Sequence, residues 1–158
     1  LRARLRGLGA QPITTVYLRY APPVALHRPL AGRLDGPAQW LFDRGPTGHP
    51  GVIAAVISGP GEHEAWSRGE VAAAVTAQLA TAFPDWPSPE RTDVVREKRA
   101  TFDCAPGTCG RRSDVAGPLP GLWLAGDHVA TGLPATIESA VRAGEACAAA
   151  IHETGRTD

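Results

Sequence analysis

The stretch GLWLAGDHVATGLPATIESAVRAGEACAAAI, residues 121–151, decides how this chain is read. Its opening, Gly121–Asp127, is a short apolar run ending in Gly-Asp, which predicts a compact strand. His128–Pro134 reads as a loop. Ile137, Ala140, Val141, Gly144, Ala148 and Ile151 then recur at three- and four-residue steps, so a helix from about Ala135 to about His152 is expected to bury that stripe. Glu138 and Arg142 stand four apart on the opposite face in the favourable order. Gly155 suits a C-terminal stop.

Such a strand–loop–helix unit can hold an anion. The free amides of a helix start point at a ligand, and the helix dipole adds partial positive charge. Pro134 sits where a missing amide costs nothing, and Gly126 admits a close approach at the strand end. Asp127 stands where a doubly wound sheet places ligand-binding carboxylates, commonly on sugar hydroxyls. The plainer reading makes Gly-Asp a turn and Asp127 a cap.

Working upstream, ITTVYLRY (Ile13–Tyr20) alternates Val16, Leu18 and Tyr20 against Thr15, Tyr17 and Arg19, which predicts a strand closed by Pro22-Pro23. A short strand is expected at Ala25–His27, then a turn at Asp35-Gly36-Pro37. AQWLFDR (Ala38–Arg44) and VIAAVIS (Val52–Ser58) read as an antiparallel pair across a short loop. Ser67-Arg68-Gly69-Glu70 has the form of a capping box. Val71, Val75, Leu79, Ala82 and Phe83 follow on one helical face, and Pro84 ends it. Thr92–Phe102 reads as a strand, and Asp103–Gly121 as an irregular stretch too long to be filler. The first dozen residues read as a helix end or a frayed lead-in.

The 158 residues carry sixteen basic and sixteen acidic side chains, which argues against nucleic acid as a partner through bulk electrostatics. Hydrophobic residues reach 43%, too many for a disordered chain. No apolar run approaches the ~20 residues that span a bilayer. Three cysteines leave no paired framework, so a cytoplasmic setting is the default expectation. Cys104 and Cys109 match no common zinc spacing, and no metal is expected. The chain begins at Leu1 and holds no Met, which suggests processing, truncation or a piece of a longer reading frame.

Taken whole, AGDHVATGLPATIESAVRAGEACAAAI resembles the C-terminal flavin-binding motif of the FAD-dependent amine oxidase and phytoene desaturase superfamily. EKRATFDCAPGTCGRR followed by LPGLWLAGD is similar to the squalene-associated FAD-dependent desaturases, the hydroxysqualene dehydroxylases of hopanoid biosynthesis. YLRY, DGPAQWLFDRG and VIAAVISG fit that family's substrate-domain strands, so the resemblance runs from about Ile13 to about Ile151. It implies an α/β fold: the C-terminal part of a two-domain FAD-dependent oxidoreductase, with an antiparallel substrate-domain sheet plus the last strand and helix of a Rossmann-like FAD domain. Residues 1–93 would belong to the substrate domain, 94–154 to the FAD domain, and 155–158 to a tail.

The resemblance implies FAD as cofactor, with Gly126 and Asp127 at its ribityl–pyrophosphate region and Leu133 and Pro134 by the isoalloxazine edge. Ala135, Thr136 and Ile137 would open the helix with amides facing the flavin. Glu138 is expected to be structural, paired with Arg142. Ser139 and Ala143 replace the family's common glycine and serine. Arg112-Ser113 stands where Arg-Pro is usual, which leaves Arg111 and Arg112 without an assigned role. His128 reads as a loop residue, and Tyr17, Tyr20, Trp40 and Phe42 as either sheet packing or the wall of an isoprenoid pocket.

The family's GxGxxG fingerprint is absent, since Gly7-Leu8-Gly9 lacks the third glycine. The expected partners are therefore an isoprenoid substrate and the remainder of an FAD domain, with peripheral membrane contact open for the parent. Hydroxysqualene reduction to squalene is the implied reaction, and this chain alone should bind FAD weakly or not at all. The alternatives are a carotenoid-type desaturase, running hydride transfer oxidatively, and a non-catalytic binding module. No catalytic residue is assigned.

Overall fold

The computed structural model describes residues 7–117 and 119–154, with the side chain of Cys109 left out. The chain divides into two compact units, Pro12–Ala100 and the segments either side of it. The lead-in at residues 1–6 and the stop at Gly155 lie outside the described residues.

The unit 12–100 is built on a five-stranded sheet in the order β2-β3-β4-β1-β5. Its strands are β1 (Gln11–Arg19), β2 (Leu30–Gly32), β3 (Trp40–Asp43), β4 (Val52–Ser58) and β5 (Arg91–Thr101). β4 lies antiparallel between β3 and β1, with Leu41 and Val16 both opposite Ala55. Residues directly opposite share a face, so alternation along each strand separates two surfaces.

One surface carries Val16, Leu18, Leu41, Ile53, Ala55 and Ile57, all buried. Helix α1 (Arg68–Ala82) closes it with Val71, Val75 and Leu79. α1 starts at Ser67, whose hydroxyl accepts the Glu70 amide while the Glu70 carboxylate accepts the Ser67 amide. These bonds hold the Glu70 carboxyl below the usual carboxylate range. Gln78 is also buried, and both ends of its amide bond the backbone of buried Ala38 at 2.9 Å. Tyr20 extends this core beside Trp86, and burial pushes its phenol up to about 12.

The short strand expected at Ala25–His27 does not form; the pairing falls at Leu30–Gly32 instead. The Leu26 amide that a ladder would need is taken by Asp43 Oδ2 at 2.9 Å, and prolines at 22, 23 and 29 remove further donors nearby.

In the other unit the apolar run Gly121–Asp127 makes no regular strand. It forms one antiparallel bridge, Trp123 to Ala116, and the Leu124 amide donates to the Val115 carbonyl at 2.8 Å. Helix α2 spans Ile137–Thr154. Its expected buried stripe is instead turned outward: Ile137 is 86% exposed, and Val141 and Ile151 are about half exposed. The buried side is Ser139 and Ala143, with Cys147 half-buried one turn further on. Polar bonding of Ser139 sets this face. Among them, no helix is long and apolar enough to cross a membrane.

Candidate functional site

The loop from Gly126 to Thr136 and the start of α2 form the candidate site. Thr136 caps the helix: its hydroxyl accepts the Ser139 amide at 3.1 Å, and its carbonyl accepts the Ala140 amide at 3.1 Å. The amides of Ile137 and Glu138 precede the first intrahelical bond and remain open to an outside acceptor. Pro134, Thr136 and Ile137 are exposed, while Leu133 and Ala135 are half-buried. Glu138 and Arg142 pair across the exposed face at 2.7 Å.

Gly126 adopts φ +138°, in the range that favours glycine. The group that closes on it is His128: a Cβ on Gly126 would lie 2.7 Å from the imidazole. The Asp127 side chain is partly exposed, and His128 Nδ1 lies 4.0 Å from its Oδ1. Its carboxylate thus remains able to accept hydrogen bonds from ligand hydroxyls. The Asp127 carbonyl, in contrast, faces inward.

What it meets there is Arg112, the functional residue that the sequence leaves unassigned. Its side chain is buried, with the residue 6% exposed, and its guanidinium lies 5.0 Å above the Phe102 ring. Nη2 donates to the carbonyls of Asp127, at 2.7 Å, and Val129, and to the Ser139 hydroxyl at 3.1 Å. Nη1 donates to the Leu133 carbonyl. Ser139 Oγ stands 2.6 Å from Thr131 Oγ1, so this fully buried serine ties α2 to the loop. Arg112 Nε is buried without a hydrogen-bond partner. The neighbouring Ser113 bridges Val129 in parallel, and its carbonyl accepts the Ala130 amide at 2.9 Å. Only the unbroken polar pairing of Arg112-Ser113 with Thr131 and Ser139 could have signalled this from sequence, and their spacing follows no helical or strand period.

The donor set suits a polyhydroxylated anion such as a flavin nucleotide. An acceptor carboxylate stands beside a helix start with two open amides, and a buried cation lies behind the loop.

The model of the flavin-containing amine oxidoreductase family matches residues 2–152. The chain belongs to that family. Hydroxysqualene dehydroxylases are similar: that of Rhodopseudomonas palustris is 32% identical over 150 residues, and that of Sinorhizobium fredii 34% over 152. These alignments cover 91% and 90% of this chain but 33% of each relative. The chain therefore spans about a third of the length of the curated relatives it matches. The 15-cis-phytoene desaturase of Solanum lycopersicum is 34% identical over 92 residues, 54% of this chain and 16% of that enzyme. Among solved structures, a protein of Exiguobacterium sp. 255-15 assigned as a protoporphyrinogen oxidase superposes with a TM-score of 0.70. At 16% identity, over 94% of this chain and 36% of that one, it shows the fold alone.

The second face of the sheet completes the picture of the unit 12–100. Leu30, Phe42, Ala54 and Tyr17 lie in one cross-strand row, and Gly32, Trp40, Val56 and Thr15 in the next. Leu30, Phe42, Tyr17 and Trp40 are exposed, and the Trp40 ring lies against the bare α-carbon of Gly32. Of the four aromatics named from sequence, Tyr20 alone belongs to the core.

Proposed function

We propose that the protein is an FAD-dependent oxidoreductase acting on a C30 isoprenoid, reducing hydroxysqualene to squalene with loss of the hydroxyl as water. The observation that carries this reading is the relatedness to three hydroxysqualene dehydroxylases over 87–91% of the chain. The flavin, when bound, supplies the hydride. Residues 94–154 contribute the returning segment of its domain, and the remainder of that domain contributes the rest. Asp127 accepts hydrogen bonds from the ribityl hydroxyls beside Gly126. Ala135, Thr136 and Ile137 present amides to the flavin's polar edge, and Leu133 and Pro134 exclude water there.

Residues 1–93 contribute the substrate side. The open face of Tyr17, Trp40, Phe42 and Leu30 suits a polyisoprenoid, a chain that offers only apolar surface. A carotenoid-type desaturase is the second reading, favoured by the phytoene desaturase match.

The test is incubation of the protein from its complete reading frame, loaded with FAD and a reductant, with hydroxysqualene or phytoene. Squalene as product supports the first reading, a desaturated polyene the second. Absence of flavin uptake together with absence of either product overturns both.

A further inference from the structure

We propose that Arg112 is the positioning residue of the cofactor loop, holding residues 127–136 in their binding conformation from behind. This rests on the flavin reading of the loop. Three carbonyls, those of Asp127, Val129 and Leu133, turn inward and converge on one guanidinium. A loop whose carbonyls are gathered on its inner side can turn side chains outward, while its Val129, Ala130 and Leu133 amides are taken within the protein. Asp127 illustrates the division, since its carbonyl is fixed by Arg112 while its carboxylate stays free of the protein's hydrogen bonds.

The charge is also unusual. A buried guanidinium normally finds a carboxylate, yet among the described residues none lies within ion-pair distance of Arg112. Carbonyl dipoles, two hydroxyls and the face of Phe102 are what it has. Its positive charge is thus uncompensated beside the start of α2, where an anionic ligand would supply the missing counter-charge. Ser139 belongs to the same device. Its hydroxyl stands 2.6 Å from Thr131 Oγ1 and 3.1 Å from Arg112 Nη2, linking the two.

Only a planar fork with several donors can serve these acceptors together. A lysine ammonium carries the charge on one nitrogen and cannot span them.

The experiment uses the protein from its complete reading frame, as wild type, Arg112→Ala and Arg112→Lys. Amide hydrogen exchange is measured over 127–136, with 12–100 as the internal reference, and FAD and its spectrum are titrated in parallel. Both variants should speed exchange in the loop alone and weaken FAD binding by about tenfold or more, the equivalent of one charge-assisted hydrogen bond. Millimolar methylguanidinium should restore loop protection, FAD affinity and the flavin band shape in Arg112→Ala, whereas methylammonium should not.

Unchanged loop exchange in Arg112→Ala, or equal rescue by methylammonium, overturns the proposal. Wild-type protein that takes up no FAD sinks the flavin reading, while loop exchange and its rescue still judge Arg112. FAD uptake with an indifferent Arg112→Ala sinks the positioning role and leaves the flavin reading standing. Should Arg112→Ala fail to fold, Ser139→Gly and Thr131→Val each remove one partner. Loosening confined to 127–136 supports the role, and unchanged exchange in both refutes it.

Discussion

Replacing Gln78 by leucine tests how the unit 12–100 is held together. Gln78 projects from α1 into the core, donates to the Ala38 carbonyl and accepts the Ala38 amide, each at 2.9 Å. Ala38 is fully buried, so both of its backbone groups depend on this one side chain. The Asp35-Gly36-Pro37 turn seals the site, since a Cβ on Gly36 would lie 2.4 Å from Gln78 Cδ. Water therefore has little room to substitute.

Leucine keeps the volume and removes both bonds, leaving a buried donor and a buried acceptor without partners. At about 1–3 kcal/mol for each such group, Gln78→Leu should cost about 2–6 kcal/mol. Gln78→Glu separates the two bonds. Its carboxylate still accepts the Ala38 amide but opposes the Ala38 carbonyl; once protonated, it can donate there as glutamine does. Its folded pKa should be raised, so the penalty relative to wild type is full above that pKa and shrinks as pH falls through it. Urea unfolding followed by tryptophan fluorescence measures both variants. A Gln78→Leu cost below about 0.5 kcal/mol would refute the reasoning. So would a Gln78→Glu penalty that stays the same from about pH 7 to about pH 4.

Three further outcomes follow from the same structure. Ser67→Ala removes the helix cap and should cost about 1 kcal/mol in the same unfolding assay, with Gly tolerated better than Ala. Tyr20 titrates near 10 unfolded and about 12 folded. Its contribution is therefore complete below about pH 10 and falls by ~1.4 kcal/mol per pH unit from there to about 12. That fall should vanish in Tyr20→Phe, and an identical alkaline profile in both proteins would contradict the burial argument. Gly126→Ala forces a Cβ against the His128 ring at positive φ, costing about 1 kcal/mol or more and displacing the imidazole. A crystal structure with His128 unmoved would rule this out.

The elements that sequence made legible are those whose partners lie close in the chain or on an alternating face. β1, β3, β4 and the capped start of α1 follow from period-two alternation and the Ser67–Glu70 spacing, and all appear within a few residues of their expected bounds. The same alternation separates Tyr20, in the core, from Tyr17, Trp40 and Phe42 on the open face, although composition treats all four alike. Gln78 and Arg112 were not legible, because their value lies in backbone groups they satisfy, 40 residues away for Ala38 and 15–21 away for the loop carbonyls. Backbone acceptors leave no mark in a sequence. The Ala25–His27 expectation failed for a related reason: a side chain, Asp43, took the amide that the ladder required.

Two departures around the candidate site share one physical origin. An apolar run becomes a strand when neighbouring strands take its amides and carbonyls, and a helical stripe becomes buried when a sheet lies under it. Among the described residues Gly121–Asp127 finds a single bridge partner, Ile137 is largely exposed, and Val141 and Ile151 are about half covered. On the proposed reading both patterns belong to one sheet layer, as its strand and its covering helix. The relatives are about three times as long as this chain, and on the proposed reading their additional length includes the strands of that layer. The loop between the two patterns needs no such cover. Arg112 and Ser139 organise it from within residues 112–139, so the candidate binding conformation is encoded locally even where the surrounding layer is not.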